Sequence, residues 1–215
     1  LADAVLRYLD DAAPSLWPRP PTDQVNVRNG ILNLATGELK SHTPTWLSPI
    51  QIGAAWNPDA GCPHIISFVD DVIPPDTAKL VYEIAGLLCV PDMTFQTAVV
   101  LLGGGSNGKS TLIGLLHALV GVENVAHVGL HELGSNRFAA AELYGKLANL
   151  CPDIPNRKPA SVATFKAITG GDPITAERKY GHPFTFEPFS RFVFSANSVP
   201  DSPDTSPAYL RRWLV

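Results

Sequence analysis

The chain has 215 residues, 45% of them hydrophobic and 17% charged, with a formal net charge of −4. That length accommodates one α/β domain with a smaller appendage, and the composition is that of a folded protein rather than a low-complexity segment. The acidic balance excludes a global basic field for nucleic acid, so any such contact rests on a local basic element or on elements gathered by oligomerisation.

Leu1, Val5, Leu6 and Leu9 are spaced as on a helix. Pro14, Pro18, Pro20 and Pro21 end that helix and make a stiff linker, so residues 1–24 are expected as helix plus linker. From Val25 to Leu39 the residues alternate, with turn signals at Asn29-Gly30 and Ala35-Thr36-Gly37, which predicts a small β-hairpin region. Ile65, Phe68, Val69 and Val72 mark one amphipathic helix. Leu80, Val81, Ile84, Leu87 and Leu88 mark a second after the Pro74-Pro75 break. Residues 25–93 are therefore expected as a small α+β accessory domain, and 94–215 as a separate α/β domain.

The second domain opens on Ala98-Val99-Val100-Leu101-Leu102, a continuous apolar run of the kind found in buried parallel strands. A glycine loop follows, then a helix from Lys109 to about Val120 that stops at Gly121. Further strands are expected at Val125–Val128, at Leu147–Cys151 ending in Asp153, and at Phe192–Ser195 ending in Asn197. A fifth would open at Trp213-Leu214-Val215. Strands separated by helical patterns predict a parallel sheet with helices on both faces. A start at Leu1 without methionine and a stop inside an apolar run read as a piece of a longer protein. Cys62, Cys89 and Cys151 are odd in number and unrelated in spacing, which predicts a reduced, cytoplasmic setting. No apolar run approaches the ~20 residues of a membrane helix, and no signal peptide is expected.

The loop Gly103-Gly104-Gly105-Ser106-Asn107-Gly108-Lys109-Ser110 has the spacing of a nucleotide-binding P-loop, with Thr111 following. Between a strand and a helix this pattern has physical meaning. Glycines let backbone N–H groups close around phosphates, and the helix N-terminus adds its positive end. Lys109 would reach the β- and γ-phosphates of ATP, and the Ser110 hydroxyl would ligate Mg²⁺. A neighbouring strand must then end in a carboxylate for the metal, and Asp153 stands there, although Pro152 and Pro155 also suit a plain turn. Asn197 ends the next strand, where an amide could orient water or sense the γ-phosphate, or simply begin the turn before Pro200. Ile174–Phe186 reads as a hairpin. Arg178, Lys179, Tyr180 and His182 near its tip suit a single-stranded backbone and its bases, or equally a solvated surface turn.

Taken in order, these segments resemble the phage/plasmid primase–helicase family. The resemblance rests on Asn29-Gly30-Ile31-Leu32-Asn33-Leu34 with Thr36-Gly37-Glu38-Leu39, and on the loop ending Asn107-Gly108-Lys109-Ser110. It extends to Thr169-Gly170-Gly171-Asp172-Pro173-Ile174, Ser195-Ala196-Asn197 and Arg211-Arg212. It implies a superfamily 3 helicase of AAA+ type, assembled as a homo-oligomeric and usually hexameric ring. Such a ring hydrolyses ATP to move on single-stranded DNA and unwind forked duplex, in the host cytoplasm if phage-encoded. It assigns Asp153 as the Walker B acid, Asn197 as the sensor, and Gly171–Phe186 as the DNA-contacting hairpin of the pore. Arg211 or Arg212 becomes the arginine finger of the adjacent subunit. Many relatives carry two adjacent acids in Walker B, whereas Asp153 is followed by Ile154, so the group that orients water is left open. Two other readings stand beside this one: a P-loop kinase of a small metabolite, and an ATP-switched DNA-binding or loading module without unwinding activity.

Overall fold

The structure, a computed structural model, describes residues 13–215. The helix expected over 1–12 lies outside the described residues. Gln24–Val27 (β1), Gly30–Asn33 (β2) and Leu39–Lys40 (β3) form an antiparallel meander in the order β1-β2-β3; the first turn is Arg28-Asn29, one residue before the expected Asn29-Gly30, and Gly30 already pairs with Val27. Two helices follow, Pro63–Val72 (α1) and Ala78–Leu87 (α2).

Five parallel strands make the central sheet. In chain order they are Ala98–Leu102 (β4), Val125–Ala126 (β5), Ala148–Cys151 (β6), Arg191–Ala196 (β9) and Trp213–Leu214 (β10), and in space they run β10-β4-β9-β6-β5. Between them lie helices Lys109–Val120 (α3), Leu130–Ser135 (α4), Ala163–Gly170 (α5) and Pro207–Leu210 (α6). An antiparallel hairpin of Ile174–Ala176 (β7) and Phe184–Phe186 (β8) stands apart from the main sheet. This is the mixed α/β fold, a parallel sheet flanked by helices, that the AAA+ resemblance implies.

Alternation along the strands sorts the core into two layers, because successive side chains point to opposite faces. Ala98, Val100, Phe192 and Phe194 join Leu130, Phe165 and Ile168 on one side. Val99, Leu150 and Val193 join Ile113, Leu116 and Val120 of α3 on the other. The second layer also contains Val25, Val27, Leu32, Ile84, Leu88 and Met93, so the meander and α2 share a core with the sheet. Trp213 closes the first layer by stacking on Phe165 at 4.8 Å.

One strand is shorter than its sequence predicts. β5 stops at Ala126 rather than Val128 because a side chain replaces the partner strand: Val128 N–H donates to Asn149 Oδ1 (2.7 Å), and Asn149 Nδ2 donates to Val128 O (2.9 Å). No helix among the described residues is long and apolar enough to cross a membrane.

Candidate functional site

The carboxyl edge of the sheet gathers the three strand ends that carry candidate residues. Leu102 of β4 is in register with Ala196 of β9, and Cys151 of β6 with Phe194 of β9. Gly103 N–H donates to Ala196 O, so the glycine loop starts against the end of β9. Asp153 is tied to the same strand, with its N–H on Ser195 Oγ (3.0 Å) and the N–H of Ile154 on Ser195 O (2.9 Å). Asp153 and Asn197 are both exposed, and Asp153 has a left-handed backbone (φ 53°). In open α/β sheets, ligands bind outside this edge.

The loop's glycines divide by what a side chain would meet. At Gly103 an added Cβ would lie 1.9 Å from Asn107 Nδ2. At Gly108, where φ is +82°, it would lie 2.9 Å from Val72 Cγ1 on α1. Gly108 is required by the protein's own packing and backbone, whereas at Gly103 a side chain would displace Asn107 from its place beside Lys109. At Gly104 and Gly105 a Cβ would meet nothing within 4 Å, so packing does not require glycine there. Gly108 is also the N-cap of α3, without a side-chain cap, leaving the first N–H groups of a 12-residue helix for an anion. Ser110 and Thr111 are exposed on its first turn.

Lys109 folds back over the loop. Its ammonium donates to Gly103 O (2.6 Å), Asn107 Oδ1 (2.8 Å) and Gly104 O (3.2 Å), using all three protons. These acceptors hold the positive charge over the bare glycines, where phosphate oxygens could replace them. Beside the loop opens a cleft of about 310 Å³, bounded by Asn107, Gly108 and Lys109 and by the apolar Val72, Ile73 and Pro74. Apolar walls next to phosphate donors suit a base joined to phosphates. Among the described residues no cluster of three or more His, Cys, Asp or Glu could hold a metal alone. Ser110 and Asp153, both exposed, offer oxygen donors of the kind taken by Mg²⁺, which is commonly bound by one or two protein groups plus substrate phosphates and water. Burial, with Glu132 and Asp153 adding to it, pushes the Cys151 thiol up to about 11, so it stays protonated beside this edge.

The arginine pair sits elsewhere. It precedes β10, which runs parallel to β4, so it lies at the amino edge of the sheet; Arg212 O accepts from Ala98 N–H at the start of β4. Arg212 is 8% exposed and points inward. Its guanidinium donates to Thr169 Oγ1 (2.9 Å), to Lys166 O (3.4 Å) and to Ala208 O. The Thr169-Gly170-Gly171 motif is thus a helix end: Gly171 caps α5 with φ +75°, and Thr169 receives Arg212. Arg211 is exposed and, among the described residues, its side chain donates only to Gln96 Oε1, at 3.0 Å.

The β7–β8 hairpin forms as expected and also leaves the fold on the amino side, just before β9 begins. Arg178, Lys179 and His182 are exposed near its tip, and Tyr180 is 96% exposed with φ 64°. The structure brings the phosphate-loop residues, Asp153 and Asn197 together, and separates the hairpin and the arginines from them by the length of the sheet. Sequence reasoning names Asn107 in the loop and Ser195 in the strand-end motif, but not what they do: Ser195 anchors Asp153, and Asn107 holds Lys109. A serine within an otherwise apolar strand was the available signal for Ser195.

A family model described as "Family of unknown function (DUF5906)" matches residues 101–212, and one described as "D5 N terminal like" matches residues 2–74. The D5-type match agrees with the primase–helicase resemblance. No match to a curated protein is found. Among solved structures, the A-form apo structure of the NrS-1 C-terminal region is similar with a TM-score of 0.59 and 14% identity, over 99% of this chain and 51% of that one. A second apo structure of that region (305–718) gives 0.60 and 15%, over 93% and 45%. The X-ray structure of JCV helicase gives 0.46 and 14%, over 73% and 44%. The chain spans about half the length of the NrS-1 structures it matches, and at these identities the likeness is one of fold.

Proposed function

The chain belongs to the DUF5906 family of unknown function, and we propose that it carries the ATPase motor of a DNA helicase of the phage/plasmid primase–helicase type. The observation that carries this reading is the bare-glycine loop with Lys109 folded over it, at the sheet edge where Asp153 and Asn197 also end their strands. Residues 94–215 act as the ATPase unit, with 25–93 as an accessory unit packed on one face of its sheet. ATP binds with its phosphates over Gly104 and Gly105 and on the free N–H groups of α3, and its base enters the cleft at Val72 and Pro74. Lys109 exchanges its loop acceptors for phosphate oxygens. Ser110 and Asp153 hold Mg²⁺, which when bound neutralises charge on the phosphates. Asn197 senses the γ-phosphate.

The working form is a homo-oligomeric ring, a reading supported by the arginine geometry. Within one subunit Arg211 lies across the sheet from the loop, and β4 alone spans five residues, about 16 Å. Arg211 therefore serves a neighbouring subunit's ATP, while Arg212 holds the element that carries it. The tips bearing Arg178, Lys179, Tyr180 and His182 line the pore and grip single-stranded DNA, which explains how an acidic subunit can bind nucleic acid. The site of action is the cytoplasm, that of the host cell if the protein is phage-encoded.

The test is ATP hydrolysis with and without single-stranded DNA, for the parent, Lys109→Ala and Asp153→Ala. The parent should be stimulated by DNA and not by small phosphate acceptors. Lys109→Ala should fall to background, and Asp153→Ala should keep nucleotide binding while losing Mg²⁺-dependent turnover. Hydrolysis at the parental rate in Lys109→Ala would refute the reading.

A further inference from the structure

A second cleft lies far from the glycine loop. Its volume is about 610 Å³, and it is bounded by Tyr144 and Gly145 before β6, by Phe186 and Glu187 of the hairpin foot, and by Arg19 and Phe189. Tyr144 is half-exposed and belongs to an aromatic group assembled from two distant segments. Its ring meets Phe184 and Phe186 edge-on at 5.4 and 5.3 Å, and those two stack on each other at 5.6 Å. Arg178 spans the group, 5.6 Å from the Tyr144 ring and 5.1 Å from that of Phe184. The cleft is thus continuous with the hairpin through its aromatic side.

Charge around the cleft favours an anionic ligand with a planar part. Glu177, the nearest acid in sequence to the tip, is paired with Arg137 at 3.4 Å, and Glu187 with Arg19 at 3.7 Å. Among the described residues neither Arg178 nor Lys179 has a carboxylate partner. Arg19 also borders the cleft, but its charge is met by Glu187 and it lies over the Phe189 ring at 5.8 Å, so the uncompensated cations are those of the hairpin tip. Aromatic faces beside uncompensated cations are the elements of single-strand binding, where bases stack and phosphates meet the charges.

We infer that this cleft receives a nucleobase splayed from single-stranded DNA, stacked on Tyr144 at the foot of the hairpin while Arg178 and Lys179 hold the adjoining backbone. The inference rests on the single-strand-binding reading above and adds to it a base-dependent contact. Arg178 and Lys179 of the hairpin tip grip phosphates and do not need bases. Tyr144 does.

The experiment measures affinity for two oligonucleotides of equal length, one with bases throughout and one carrying consecutive abasic sites. The parent should prefer the base-bearing strand by about 5- to 150-fold for each stacked base. Tyr144→Leu keeps apolar contact with Phe184 and Phe186 but has no π face, and should lose that preference while binding the abasic strand like the parent. Tyr144→Phe should retain it, and 2-aminopurine fluorescence in the parent complex should be quenched by stacking. Replacing Arg178 and Lys179 together should instead weaken both strands alike. A parent that binds the two strands equally, or a Tyr144→Leu protein that keeps the preference, overturns the cleft and leaves the phosphate-gripping hairpin standing. A parent that binds neither strand overturns both.

Discussion

The two edges of the sheet are built from different materials. The carboxyl edge, with the glycine loop, Asp153 and Asn197, is made of backbone: its groups are placed by strand ends, by the bare helix start and by single hydrogen bonds to Ser195. The amino edge, with the hairpin and the arginine pair, is made of side chains: Phe184, Phe186 and Tyr144 pack on one another, and Arg212 is enclosed by α5 and α6. A backbone site demands particular residues at fixed spacing, because glycine lets a ligand approach the N–H groups closely and lets the chain turn around it. A side-chain site can be assembled from any segments that meet. The first kind leaves a signature in the sequence, and the second does not.

The sharpest way to break this comparison is at Arg211 and Arg212, neighbours with opposite expected roles. Arginine fingers contribute about 10³–10⁵ in rate in GTPases, so Arg211→Ala should lower turnover on that scale without changing the melting temperature. Mixing it with Lys109→Ala should restore hydrolysis at mixed interfaces, and turnover per subunit of the parent should fall on dilution. Arg212→Ala should act through the fold instead, costing about 1.5–3 kcal/mol for the charged hydrogen bonds it strands. Denaturant melts of the two single variants separate these outcomes. Equal stability loss in both would erase the distinction.

A second test divides the glycines. Gly108→Ala should destabilise by about 1–2 kcal/mol from its left-handed backbone alone, with the approach to Val72 adding to that. Gly104→Ala and Gly105→Ala should leave stability within about 0.5 kcal/mol of the parent and weaken nucleotide binding. Calorimetric titration with ATP alongside thermal melts reads both. Stability loss at Gly104 and Gly105 would mean that the loop's bareness serves packing throughout.

The smallest expected effect is electrostatic. Replacing Arg178 and Lys179 with alanine should flatten the salt dependence of single-strand binding by about 0.7 in log–log slope for each phosphate no longer neutralised. An unchanged slope across a salt series would demote the tip to a solvated turn.

What is legible in the sequence follows the same division. The helix from Lys109 to Val120 and its stop at Gly121 are legible because the apolar spacing and the glycine agree, and the structure matches both bounds. The strands of the sheet are legible as apolar runs. The end of β5 is not, because Asn149 acts from another strand and nothing near Val128 announces it. Arg191, buried at the start of β9 with Asp92 O as its acceptor, falls outside the strand that the apolar run predicts, because arginine is rarely enclosed. The Tyr144 cluster joins residues about forty positions apart, beyond the reach of any local pattern. Within the arginine pair, inward and outward orientation depends on where α5 ends, which the pair itself does not encode.

The Thr169 hydroxyl has one more consequence. It donates to Phe165 O within α5 and accepts from Arg212 Nε, two residues before Gly171 turns the chain toward the hairpin. Arg211, adjoining Arg212, is the side chain that would touch the neighbouring subunit's phosphates. If Arg211 is the finger and the hairpin the DNA grip, as proposed, contact with one subunit's fuel and grip on the strand would share a single mechanical joint, and a ring of such subunits could time its steps by the pull on one oxygen atom.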